Sequence, residues 1–209
     1  MVEDLVRTWA AGWAVSRRTP PPVAQPWGLY VEVNGSPDEV GRHVLPRTEE
    51  TLVRDAAASV TAPRTWMKMP AEPGETDSWL PQGWAREEDG HLMAVDLMAT
   101  YPTVPQGYAA DVEAVGAVTH VRVMDAAGEP AAQGQMAVLG EAVVVDRVVT
   151  EEAHRRRGLG AFVMRTLADR ALEEGAVLGV LGATDAGRAL YETLGWKKHV
   201  TLAEYVYRP

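Results

Sequence analysis

The chain has 209 residues, 46% of them hydrophobic, a net charge of -9 and no cysteine, enough for a sizeable core in one large or two small domains. The missing cysteines exclude disulfides, thiolate metal ligands and cysteine nucleophiles together. Residues 1–100 carry nine basic side chains against fifteen acidic ones, and residues 101–209 eleven against fourteen. Neither half therefore offers a nucleic acid backbone a broad positive surface. No apolar run is long enough to span a bilayer, so no membrane partner is expected. The opening "MVEDLVRTWAAGWAVSRR" has early acids and no cleavage-site pattern, so cytoplasm is the default location.

In chain order, residues 1–100 hold six of the seven tryptophans and the turn-rich segments "TPPPVAQPWG", "NGSPDE" and "PAEPGETDS". Between them "GWAVSRR", "GLYVEV", "GRHVLP" and "TWMKMP" read as short strands. The segment "RTEETLVRDAAASV" reads as a helix capped by Thr48 or Thr51, with Leu52, Ala56 and Val60 on one face. One or two further strands surround the turn at Asp89-Gly90. The tryptophans are read as core, some of them lining a cleft.

The second half opens with a hinge, "YPTVPQGY". "VTHVRVMD" and "AAQGQMAVLG" then form a hairpin. The valine-rich "AVVVDRVVT", residues 142–150, is a buried strand, followed by a helix from about 158 to 174 that Gly175 terminates. "AVLGVLGAT" is a second buried strand. Thr184 or Asp185 caps a short helix that ends at Gly195, and "WKKHV" and "TLAEYVY" close the chain as strands. This order implies a mixed sheet flanked by helices.

Between the first buried strand and its helix lies "RRRGLGA", Arg155 to Ala161. The leading N–H groups of a helix have no partner, and the helix dipole favours an anion there. Gly158 and Gly160 leave room for a bulky anion, Arg156 and Arg157 supply charge, and the amides supply hydrogen bonds, which together make a diphosphate site. A solvated basic turn with glycines for packing is the structural alternative. A P-loop fails because Gly160 precedes Ala161 and Phe162 instead of Lys and Ser or Thr. A dinucleotide fingerprint fails for want of a third glycine and an acid closing the next strand.

Arg155-x-x-Gly158-x-Gly160 resembles the acetyl-CoA-binding motif of the GNAT N-acetyltransferase superfamily. "ALYETLGW" resembles that family's second motif, with Tyr191, Gly195 and Trp196 in the matching places. Both lie within about 105–209. The resemblance implies an α/β fold with a GNAT-like, mixed, mostly antiparallel sheet flanked by helices. Residues 101–209 would form the acetyl-CoA-binding catalytic domain. Residues 1–100 would form an α/β half, either a cover for the acceptor side or a degenerate second lobe of the same kind.

It further implies that the diphosphate of coenzyme A rests on the turn Arg155, Arg156, Arg157, Gly158, Leu159, Gly160 and Ala161, and that the pantetheine arm runs beside Val148, Val149 and Thr150. Thr184 or Asp185 stands where the family often contacts the cofactor. Tyr191 matches the usual general acid; its structural alternative is a helix tyrosine packed on the sheet. The usual glutamate base falls at Val144, which cannot serve. Asp146, two residues on and on the same side, is either a base or a structural ion-pair anchor, and Glu141 is the other candidate. His154, His120, His43, His91 and His199 show no metal-ligand spacing, and no metal is expected.

The function expected is transfer of an acetyl group from acetyl-CoA to a primary amine of a small molecule, by direct attack in a ternary complex. An inactive acetyl-CoA-binding sensor or scaffold is the rival, and a nucleic acid binder is disfavoured by the charge. A homodimer is compatible with the sequence.

Overall fold

The computed structural model describes all residues, Met1–Pro209. Its first element is a helix, α1 (Val2–Arg17), with Leu5, Val6, Trp9, Ala10 and Trp13 buried at helical spacing. "GWAVSRR", expected as a strand, is the last part of α1. The 3.6-residue period running from Leu5 outweighs the local β-propensity of Trp and Val. Arg18, in the left-handed region at φ 56°, ends the helix, and the last carbonyls are satisfied by cap amides.

There follow β1 (Val23–Gln25), β2 (Gly28–Glu32), β3 (Gly41–Val44), α2 (Glu50–Ser59), β4 (Thr65–Pro70), β5 (Trp84–Arg86) and β6 (Gly90–Asp96). The second half supplies β7 (Ala109–Val115), β8 (Val118–Met124), β9 (Pro130–Leu139), β10 (Ala142–Thr150), α3 (Leu159–Glu173), β11 (Leu178–Ala183), α4 (Asp185–Thr193) and β12 (Lys197–Tyr207). Three details depart from the sequence expectations. The N-cap of α2 is Glu49, with no side-chain cap bond, because the Thr48 hydroxyl goes to the Pro70 carbonyl instead. "ADVEAV", with no element assigned from sequence, pairs with β8 as β7. "WKKHV" and "TLAEYVY" are one strand with a bulge between Lys198 and Val200.

All twelve strands join one sheet, ordered β1-β2-β3-β4-β12-β6-β11-β10-β9-β8-β7, with β5 beside β12. It is antiparallel except at two pairs, β3 with β4 and β10 with β11. Each parallel pair is joined through a crossover helix, α2 or α3, as parallel strands require. The middle of the sheet is an exchange. β6, from the first hundred residues, pairs with β11, while β12, from the chain's end, pairs with β4. The sheet thus runs unbroken across residue 100.

Alternation along the strands gives the sheet two apolar faces. Val144, Val180, Leu92, Ala94 and Leu202 pack under α1. Val143, Val145, Leu181 and Met93 pack with α3, Tyr191 and Trp196 on the other face, where α2 covers Met67, Met69, Ala203 and Tyr205.

Candidate active site

β10 and β11 pair only from Ala142 to Val144 against Leu178 to Val180. Beyond that a bulge interrupts the ladder of β10 with β9 between Asp146 and Val149, with Arg147 at φ 53°. A bulge bends its strand, and here the two parallel strands part. Val149 and Thr150 stay bonded to β9, so the other edge of Val148–Thr150 faces an open gap.

The arginine-glycine turn stands at the end of that gap. Gly158, at φ 80°, is the N-cap of α3, and the first bond of the helix is Phe162 N–H to the Gly158 carbonyl, 3.0 Å. No amide from Arg156 to Ala161 donates within the protein. Six consecutive N–H groups at a helix mouth are an anion cradle. The two glycines differ in purpose. A Cβ on Gly158 would meet nothing within 4 Å, whereas one on Gly160 would lie 2.9 Å from Leu190 Cδ2. Gly158 provides the left-handed cap conformation, and Gly160 the close packing of α3 on α4.

The arginines point to different places. Arg155 Nε donates to the Thr150 carbonyl at 3.4 Å. Arg157 Nη1 donates to the Tyr108 hydroxyl at 3.2 Å, and that hydroxyl also meets His154 Nδ1 at 2.9 Å. His154 therefore packs and braces the turn. Arg156 has no partner in the protein and is exposed. Its charge is free for a ligand.

Tyr191, on α4, is buried, with Trp196 beside it at 6.3 Å between ring centres. Its hydroxyl has no protein partner. Burial, and then the negative charge of Asp146, push its pKa up to about 12, so it keeps its proton throughout the neutral range. Thr184 caps α4, its Oγ1 accepting from Gly187 N–H at 3.2 Å. Asp185 accepts from or faces His91 Nε2 at 2.6 Å.

Asp146 faces α1. Arg17 grips it through Nε and Nη2, and the Ser16 hydroxyl donates to it at 3.1 Å. Of the two alternatives open in the sequence, the geometry is that of an ion-pair anchor. Glu141 lies at the far end of β10, in the β9–β10 turn, where its carbonyl accepts from Val177 and Leu178 N–H. Five residues of extended strand from Asp146 keep it out of reach of the gap. No group of three or more His, Asp or Glu side chains could hold a metal ion.

On the α1 face of the gap lies a cavity of about 240 Å³, lined by two of the tryptophans and by charged residues that the sequence reading did not single out. Its roof is Trp9, Trp13 and Arg17, one stripe of α1 at i, i+4, i+8. Its floor holds Gly182 and Gly90, where a Cβ would come within 3.0 Å of Trp9 Nε1 and 2.8 Å of Glu204 Oε1 respectively. The far wall carries Lys68 paired with Glu204 and Arg42, stacked 3.6 Å from the centre of the Trp13 ring. Charged residues inside the apolar strands "GRHV", "TWMKMP" and "TLAEYVY" were the signal for this wall. A larger hollow, of about 670 Å³ beside Leu97, Met98 and Trp196, lies at the opposite end of β6 and β11. It reaches neither the arginine-glycine turn nor Tyr191.

The model of one family, described as acetyltransferase (GNAT) family, matches residues 62–196, about two thirds of the sequence. The chain belongs to the GNAT acetyltransferase family. As a GNAT it is a transferase of acyl groups, and the match begins well before residue 105, taking in β4 and the exchanged strand β6. No curated protein matches this sequence.

Solved structures show the same fold over the full length. A GCN5-related N-acetyltransferase from Kribbella flavida has a TM-score of 0.71 at 20% identity, covering 99% of this chain and 95% of its own. A putative acetyltransferase of the GNAT family from Novosphingobium aromaticivorans gives 0.61 at 14% identity, with 98% and 96% covered. A tandem GNAT protein from the clavulanic acid biosynthesis pathway gives 0.57 at 13%, with 99% and 94% covered.

Proposed function

We propose that this GNAT is an N-acetyltransferase that moves an acetyl group from acetyl-CoA to the primary amine of a small molecule, by direct attack in a ternary complex. The run of six unpartnered amides from Arg156 to Ala161 carries the reading. It fits a diphosphate, and Arg156 adds an uncommitted charge. The pantetheine arm would lie along the free edge of Val148–Thr150, bringing the thioester into the gap. Backbone amides there would polarise its carbonyl, one such donor contributing roughly 3 kcal/mol. Tyr191 stays protonated at neutral pH and would donate to the departing thiolate. Asp146, held by Arg17 and Ser16, would position α1 over the gap, and the amine would lose its proton to water.

Residues 1–100 act in this reading as the acceptor-side cover and as a degenerate second lobe. The crossover β3–α2–β4 repeats the connection β10–α3–β11, but Glu49 and Glu50 stand at its helix start. Carboxylates there occupy the dipole and repel a phosphate. The second reading, an acetyl-CoA-binding sensor without turnover, is favoured by Val144 at the usual base position and by the engagement of Asp146.

Calorimetric titration with acetyl-CoA, beside an Arg156→Glu/Gly158→Asp variant, tests the proposal. Micromolar binding that the variant loses is the expected result. Equal binding in both, or none in either, overturns it. Release of thiol with any amine then separates enzyme from sensor.

A further inference from the structure

The cavity under α1 holds three cations, and each of them keeps a spare hydrogen-bond donor. Arg17 and Arg42 each use Nε and Nη2 on a carboxylate, leaving Nη1 without a protein partner. Lys68 Nζ has three protons and a single partner, Glu204. Among the acceptors, Asp146 takes three bonds, while Asp89 Oδ1 is buried without a partner and Glu204 uses only Oε2. Glu88, exposed at the mouth, carries no cation, and Asp89 is engaged by Arg86 Nη2 at 2.7 Å. The interior therefore offers spare donors on Arg17, Arg42 and Lys68 and spare acceptors on Asp89 and Glu204, as a ligand carrying both an acid and an amine requires.

We infer that the acceptor is a small zwitterion, an amine that also carries a carboxylate, with the amine at the gap between β10 and β11 and the acid held by Lys68 and Arg42. This rests on the acetyl-transfer reading and names its substrate class. A carboxylate placed there meets charge-assisted donors on two buried side chains, where such bonds are stronger than at an open surface. It also relieves Lys68, whose pKa is held below the ordinary lysine range by burial first and by Arg42 in addition, with Glu204 opposing.

The sheet sets the length of the acceptor. β11 and β4 are three strand spacings apart, roughly 14 Å, and the Lys68 side chain spans only part of that. Amine and acid are thus several bonds apart, as in an ω-amino acid, and a cavity of about 240 Å³ is the size of one such molecule. In the transfer the acetyl carbon forms its bond to nitrogen as its bond to sulfur breaks. The ammonium gives up two protons overall, one balancing the proton Tyr191 hands to the thiolate and one leaving to water.

The test is thiol release from acetyl-CoA with glycine, β-alanine, γ-aminobutyrate and longer ω-amino acids, each beside its amide and the plain alkylamine of equal length, with a polyamine included. The expected result is kcat/KM about ten- to a hundredfold higher for one of the longer acids than for its amide, the size of a charge-assisted hydrogen bond. In Lys68→Met/Glu204→Gln, which removes both charges so that neither is left buried alone, that preference should vanish through KM. Retained acetyl-CoA binding shows that the variant is folded; should it not fold, the acid-to-amide ratio of the native enzyme decides. Equal or better turnover of amides, alkylamines or the polyamine overturns the inference. So does acetyl-CoA binding with no member acetylated. Loss of the parent reading is separately visible, as failure to bind acetyl-CoA at all.

Discussion

Tyr191 is buried without a protein partner for its hydroxyl, so its oxygen contributes little to the fold. Removing it leaves no unpaired group behind. Tyr191→Phe is therefore expected to shift stability by no more than about 0.5 kcal/mol and to leave acetyl-CoA affinity unchanged. Under the proposed function kcat should fall about a hundredfold or more. Single-turnover rates beside calorimetry check this, and an unaltered rate would reduce Tyr191 to a packing residue. With its pKa near 12, this tyrosine gives no alkaline limb in the ordinary assay range. The sequence made Tyr191 and the arginine-glycine turn legible because they sit in compact motifs. It did not separate Gly158 from Gly160: the packing of Leu190 onto Gly160 depends on where α4 lands, which no local pattern contains.

At the scale of elements, β3 shows how one strand serves two faces. Arg42 and Val44 look toward α1, while His43 and Leu45 look toward the opposite side. His43 is buried against Tyr30 and Trp27, its ring 4.9 Å and 5.5 Å from theirs, and its Nδ1 accepts from Trp27 Nε1–H at 3.0 Å. Burial lowers its pKa from 6.5 to about 4. Between those values the unfolded chain binds a proton that the folded chain refuses, so stability falls as pH drops from 6.5 to 4, by up to about 3 kcal/mol. Urea unfolding across that window should show the slope in the native protein and a flatter one in His43→Gln. Equal slopes would place the acid sensitivity elsewhere. The element order β10–α3–β11–α4 was legible, because valine runs and helix ends are local signals. The end of α1 was not, since a seven-residue window of Trp, Val and Arg satisfies a strand as well as a helix.

At the scale of the whole molecule the exchange of β6 and β12 binds the two halves into one folding unit. Composition shifts near residue 100, and the sequence suggests a boundary there, but strand pairing is a long-range property that composition does not encode. Cut at that point, residues 101–209 would lose β6 from the free edge of β11 and α1 from over Val144 and Val180. The pairing of β12 with both β4 and β6 would go as well. An apolar face and unpaired strand edges of that extent favour aggregation over folding. The fragment 101–209, although it contains every motif residue of the proposed cofactor site, is therefore expected to be insoluble or non-cooperative and to bind no acetyl-CoA. Co-expression with residues 1–100 should restore a soluble pair that binds it. The intact chain should unfold in one transition, with far-UV circular dichroism and tryptophan fluorescence coinciding. A fragment that melts cooperatively and binds acetyl-CoA alone would show that the exchange is dispensable, and that α1 closes the acceptor cavity without holding the cofactor half together.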